Sequence, residues 1–502
     1  MTIMENLSGF AHGLAIASSF ENLSAAFIGC LLGTLIGVLP GIGPLATVSI
    51  LLSVTLHMEP LSALIMLAGI FYGAQYGGST TAILCRLPGE TTSVVTCLDG
   101  YELAKQGKAG KALATAAIAS LIGGVIATFV IVLLAPPLAK FAIGFNAPEH
   151  FALMLLGLVS AVVFSGGSLL SSTAMIILGV LLGMVGTDVE TGHQRFTMGV
   201  LELTSGIDIV PVVMGLFGLS EIVRNLSTGF GSDRNNIKVN GIWPGWQDLK
   251  DLLPSSLRGS AVGAGLGVLP GGGLILAPFA SYMMEKRLSK TPEKFGLGAI
   301  EGVAGPEAAN NASAQTSFIP LLTLGIPSNP VVAVMLGAMI MHGIQPGPQI
   351  IAERPDQFWG LIASMIIGNI MLVVINLPML PIWVRLLKVP YSALFPIITI
   401  FCCVGAFTIS NSMVDLFVMS FFTLAGIWLI YLGFNLIPLL LGFVLGPLAE
   451  ENLRRAMQIA DGNVVDIISR PITATLLVAS ILIILLAVLS RRKLGVEAFA
   501  AE

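Results

Sequence analysis

Gly37-Val-Leu-Pro-Gly-Ile-Gly43 and Gly267-Val-Leu-Pro-Gly-Gly-Gly273 are two copies of one motif. Each sits in an apolar stretch, at about residues 22–57 and 260–284. Proline removes a backbone donor and clashes with the preceding turn. Glycine permits positive φ and close approach of another backbone. Neither copy can therefore be ordinary helix. In a bilayer, such backbone is tolerated only where it is buried in protein or lines a wet cavity. A helix restarting after Gly43 or Gly273 aims free N–H groups and its positive dipole end at that cavity, where an anion binds. The motif predicts broken or re-entrant helices in an all-α integral membrane protein.

Composition points the same way. Of 502 residues, 55% are hydrophobic and 10% charged, and mean hydropathy is +0.91. A soluble body of this size needs more polar surface, so a soluble enzyme and a disordered chain are excluded. The net charge of −4 gives no basic face for nucleic acid. The 57 glycines and 27 prolines suit close helix packing and broken helices. The five cysteines form no C-x-x-C pair and are expected to be packing residues. The histidines make no metal spacing, and there is no P-loop or nucleophile elbow. No enzyme activity, resident metal or cofactor is expected. Residues 1–20 have no Lys or Arg ahead of an apolar run, so no cleavable signal peptide is expected.

The repeat extends past the motif. Tyr76-Gly-Gly-Ser-Thr-Thr81 followed by Leu87-Pro-Gly89 has a counterpart in Asn310-Asn-Ala-Ser313 followed by Ile326-Pro-Ser328. Ala119–Gly124 resembles Ala363–Gly368, and Pro211–Gly215 resembles Pro438–Gly442, in the same order. The expected organisation is a first half over 1–225, a cytoplasmic linker over 226–254, a second half over 255–450, and a C-terminal span and tail over 451–502. About 11–12 membrane segments are expected. Ser53–Pro60 has no Lys or Arg, whereas its counterpart carries Lys286, Arg287, Lys290 and Lys294. The bias then reverses at Lys105, Lys108 and Lys111, as two inverted repeats require. Consistent signs make 22–57 and 260–284 re-entrant hairpins. A single broken helix crossing at each motif is the alternative, and it puts one basic linker outside.

Candidate site residues follow from these features. Pro40, Gly41 and Gly43, with Pro270, Gly271, Gly272 and Gly273, form the two loops. Tyr76-Gly77-Gly78 is expected to break its stretch, so that Ser79, Thr80 and Thr81 cap a new helix. The run from Pro306 to Thr316 is unusually polar for a span and forms a second break, bearing Asn310, Asn311 and Ser313. Hydroxyls and amides donate to a carboxylate, and their oxygens ligate a hard cation. Glu307, Asn311 and Thr316 are the coupling-ion candidates. An ionisable residue in a span is costly unless used, so Arg86 and Glu301 are candidates as well, Arg86 for a substrate carboxylate.

Taken together, Gly37–Gly43, Tyr72–Thr81, Leu87-Pro-Gly-Glu90, Ala304-Gly-Pro-Glu-Ala-Ala-Asn-Asn-Ala312 and Leu324-Gly-Ile-Pro327 resemble the large permease subunit of the tripartite tricarboxylate transporters. Gly305 departs from the family pattern, which has alanine there. The resemblance covers nearly the whole chain. It implies a bacterial inner-membrane, multi-pass secondary transporter that imports carboxylates with a Na⁺ or H⁺ gradient. It also implies a small four-span membrane subunit and a periplasmic solute-binding protein as partners. A passive anion channel or pore is the alternative.

Overall fold

The computed structural model describes residues 3–39, 42–86, 90–165, 168–188, 190–227, 245–269, 272–387, 391–410 and 412–499. Pro40, Gly41, Pro270, Gly271 and most of the expected linker lie outside the described residues. The chain is helical almost throughout, with one short hairpin of β1 (Gly186–Thr187) and β2 (Gln194–Arg195) among the described residues. The first helices are α1 (Ile3–Ala17), α2 (Phe20–Gly37), α3 (Pro44–Leu51), α4 (Pro60–Cys85), α5 (Val94–Leu103), α6 (Ala109–Ala142), α7 (Ala147–Phe164) and α8 (Leu169–Gly183). After shorter turns come α9 (Trp246–Gly267), α10 (Gly273–Leu288), α11 (Glu301–Thr316), α12 (Pro330–Met341) and α13 (Pro355–Asn376). The last four are α14 (Tyr391–Ser410), α15 (Met413–Tyr431), α16 (Ile437–Ile459) and α17 (Pro471–Phe499). Among the described residues, 7 helices are long and apolar enough to cross a membrane, and shorter apolar helices accompany them. The fold is an all-α membrane protein.

Two compact units emerge. The first comprises Met1–Lys140, Ile209–Leu269 and Gly273–Ile427. At its centre, α4 has 94% of its apolar window buried. Its packing rests on glycine stripes. A Cβ on Gly29, Gly33 or Gly37 of α2 would collide with the carbonyl of Met66, Ile70 or Ala74 of α4. A Cβ on Gly259, Gly263 or Gly267 of α9 would collide with the carbonyl of Gly305, Ala309 or Ser313 of α11. Small residues four apart let two helix backbones meet, which drives association where lipid tails compete with apolar side chains.

The stripes fix direction. Residue numbers rise together in both pairs, so α2 runs parallel to α4 and α9 runs parallel to α11. Parallel neighbours require the chain between them to return. The segments carrying α3 and α10 are that return, so each Pro-Gly motif is the tip of a hairpin. A bidentate ion pair from Arg258 of α9 to Glu285 of α10, with Nε···Oε1 at 2.8 Å, confirms the second hairpin. In one continuous helical rod those residues would stand about 40 Å apart. The crossing alternative is thereby excluded for the second motif.

The stripes also correct the pairing of the two copies. Gly37 seats between Ala74 and Gly77, while Gly267 seats between Ser313 and Thr316. By packing, Thr316 stands where Gly77 stands, and Phe318 stands where Ser79 stands. The sequence alignment of Ser79 with Ser313 is out of step, because it matches small polar residues rather than backbone contacts.

The second unit comprises Phe141–Asp208, Pro270–Gly272 and Trp428–Glu502. In it α8 packs on α16 through Gly179, Gly183, Gly442 and Gly446. The α17 window is only 11% buried, leaving an apolar face for lipid. The β-hairpin is tied down by charges. Asp188 pairs with Arg195 and with Arg454, at 3.2 Å for the latter. Glu450 pairs with Arg195 at 2.9 Å and with Arg454 at 2.6 Å.

Candidate functional site

The helix α4 runs unbroken through Tyr76–Thr81, contrary to the expected break. Gly77 is there for packing, since its Cβ would meet Gly37 and Val38 at 2.5 Å. Ser79, Thr80 and Thr81 therefore cap nothing. Their hydroxyls donate to carbonyls one turn back, at 3.2, 3.1 and 3.1 Å. Thr81 also donates to Val38 O at 2.8 Å, which ties α4 to the first motif. The polar run 306–316 is likewise one continuous helix, α11, with Pro306 accommodated inside it.

What α4 and α11 form together is a buried polar cluster. Glu307 is 1% exposed. Its carboxylate accepts hydrogen bonds from Ser79 Oγ (2.9 Å), Thr96 Oγ1 of α5 (2.5 Å) and Ser120 Oγ of α6 (3.3 Å). Among the described residues these donors are all neutral. Asn311 Nδ2 donates to Ser120 Oγ at 2.7 Å, and Asn311 Oδ1 is buried without a partner. Gln75 Nε2 donates to Asn310 Oδ1 at 3.2 Å, and Asn310 Nδ2 donates to Glu90 Oε1 at 3.4 Å. Tyr76, Ser79, Thr80, Ser120, Glu307 and Asn376 line a cavity of about 20 Å³, room for about one water. The contacts 75 to 310 and 79 to 307 run in opposite senses where α4 and α11 cross.

The other candidates fall elsewhere. Ser313 donates to Asn310 O and Thr316 to Ala312 O, both within α11. Gly43 is the N-cap of α3, with Pro44 at its first position, so the amides of the first turn have no intrahelical acceptor. Gly273 opens α10. Gly272 groups with the second unit, where its Cβ would collide with Phe164. Arg86 ends α4 in a left-handed conformation with φ 57°; it is exposed, over the Tyr101 ring at 5.7 Å. Glu301 opens α11.

Sequence reasoning missed Gln75, Thr96 and Ser120. Each is a lone polar residue in an apolar run, and only Ser120 lies in a repeat landmark. It also missed Asp99, which is fully buried and accepts from the amides of Gly296, Gly298 and Ala299, each at 2.8 Å, and from Tyr282 Oη at 2.9 Å. Asp99 holds the loop ahead of α11 against α5.

Glycine-striped hairpins around a buried, acid-centred polar cluster define a polytopic helical membrane protein with a polar centre, the class to which solute transporters belong. The chain belongs to the Tripartite tricarboxylate transporter TctA family, whose profile matches residues 23–441. Across 487 residues it is 50% identical to a protein of Agrobacterium vitis described as an uncharacterized 52.8 kDa protein in the TAR-I ttuC' 3' region, covering 97% of each chain. A second Agrobacterium vitis protein, described as uncharacterized and in the TAR-II ttuC' 3' region, is 56% identical over 227 residues, 45% of this chain and 94% of its own. No solved structure matches.

Proposed function

We propose that this large subunit of a tripartite transporter imports a di- or tricarboxylate by secondary active transport. The observation that carries the proposal is the Glu307 cluster: a carboxylate buried among neutral hydroxyls in a transporter-family chain. Such a charge is expensive in a membrane and is retained where an ion or proton is handled. The substrate carboxylates are assigned to the helix starts that follow the motifs, at Gly43 ahead of α3 and at Gly273 of α10. The coupling cation is assigned to α4 and α11, with Thr80 on the cavity wall. The opposed contacts where α4 and α11 cross, each helix with a parallel glycine-striped partner, support two halves of inverted orientation. Import would use a small four-span membrane subunit and a periplasmic binding protein in the bacterial inner membrane.

The test is uptake of labelled citrate and shorter carboxylates into proteoliposomes holding the chain, its membrane partner and its binding protein. Accumulation above equilibrium is expected under an imposed Na⁺ or pH gradient, and its loss when that gradient is collapsed. Equilibration that ignores every gradient would instead identify a passive pore.

A further inference from the structure

Three observations converge on Glu307. Its carboxylate is enclosed by the hydroxyls of Ser79, Thr96 and Ser120. Asn376, which lines the cavity beside that carboxylate, is 5% exposed, yet its Oδ1 has no partner. A cavity of about 20 Å³ opens beside Ser79, Ser120 and Glu307, and that is space for one water-sized occupant. An orphaned buried carbonyl is costly unless something completes it.

From this geometry we infer that the cradle of Ser79, Ser120, Glu307 and Asn376 is a binding site for a dehydrated Na⁺. The donor set is entirely oxygen, which selects a hard cation. One carboxylate balances one positive charge; Ca²⁺ sites gather several carboxylates, and Mg²⁺ keeps several waters for which there is no room. A proton would neutralise Glu307 but would leave the Asn376 oxygen and the cavity unused. Na⁺ uses all three, drawing on the side chains of α4, α6, α11 and α13. The same geometry removes this cluster from the substrate's own site, because a carboxylate brought here would face the Glu307 charge. As the coupling ion, Na⁺ rests on the importer proposed above; as a bound ion, it does not.

The test is binding of radiolabelled Na⁺ to the purified full chain in lipid nanodiscs, without carboxylate or partner proteins, with choline chloride holding ionic strength constant. Saturable binding is expected, abolished in Glu307→Gln and weakened about 10–100-fold in Ser120→Ala. Melting curves in detergent check that both variants are folded, and Na⁺ but not choline should raise the wild-type melting temperature. Absence of saturable binding in the wild type, or equal binding in folded Glu307→Gln, overturns the site. Uptake driven by a pH gradient alone also overturns it as the coupling site and leaves the importer standing. Saturable Na⁺ binding without carboxylate uptake keeps the site and sinks the importer.

Discussion

Asp99 shows how much one buried carboxylate can organise. Its Oδ1 takes the amides of Gly296, Gly298 and Ala299, and its Oδ2 takes the Tyr282 hydroxyl. Gly296 and Gly298 have φ of 87° and 105°, conformations that present those amides to a single acceptor. Asp99→Ala strands the amides, at about 1–3 kcal/mol for each one left buried. A melting temperature unchanged from wild type would refute the clamp. Glu307 differs in kind. Flexible hydroxyls surround it rather than fixed amides, and a hydroxyl can turn from donor to acceptor. That suits a group whose charge is answered by a visiting ion. Glu307→Gln is therefore expected to abolish gradient-driven uptake while changing the melting temperature little, and full uptake by the variant would remove Glu307 from the mechanism.

Among the elements, the stripes and hairpins are where sequence and structure speak most directly to each other. The Pro-Gly stops are legible because proline and glycine act locally, on their own backbone. Tyr76-Gly-Gly misleads because glycine in a bilayer serves two ends, breaking a helix or admitting a neighbour. Only the position of Gly37 decides between them. The Glu307 cluster is half legible. Glu307 and the two asparagines stand out in α11, but Thr96 and Ser120 arrive from separate helices and leave no linear pattern. Gly33→Val or Gly263→Val should push the paired helices apart and lower stability by about 1–3 kcal/mol or more. Wild-type thermal stability in either variant would contradict the packing. Outside the membrane, burial works to raise the Asp188 carboxyl. The amides of Glu190 and Thr191, the Thr191 hydroxyl and Arg195 outweigh it and hold the pKa down at about 2. The unfolded value is higher, near 3.8, so the unfolded chain binds more protons in between and stability rises with pH there. The tie between the β-hairpin and α16 should be complete above about pH 4 and lost as pH falls through about 2. Melting curves across that range should differ between wild type and Asp188→Asn, and identical profiles would count against the tie.

For the whole molecule, the question is whether the halves face opposite ways. The α2–α4 and α9–α11 pairs share one packing register, and the contacts of α4 with α11 run in opposite senses where the two cross. If each pair carries its hairpin with it, the turn after α3 and the turn after α10 must open on opposite membrane faces. The charges agree: His57 is the one ionisable residue between Ser53 and Met58, whereas Lys286, Arg287, Lys290 and Lys294 crowd the other turn. Lys and Arg favour the cytoplasmic face, so the α10 turn is assigned inside and the α3 turn outside. The chain's own five cysteines would first be replaced by Ser or Ala. Single cysteines would then be placed as His57→Cys and Lys290→Cys. In intact cells a membrane-impermeant maleimide should label position 57 from outside the membrane, and position 290 only after the membrane is opened. Labelling of both from one side would make the halves parallel repeats. Alternating access by rocking one half against an inverted partner would then have to give way to another mechanism.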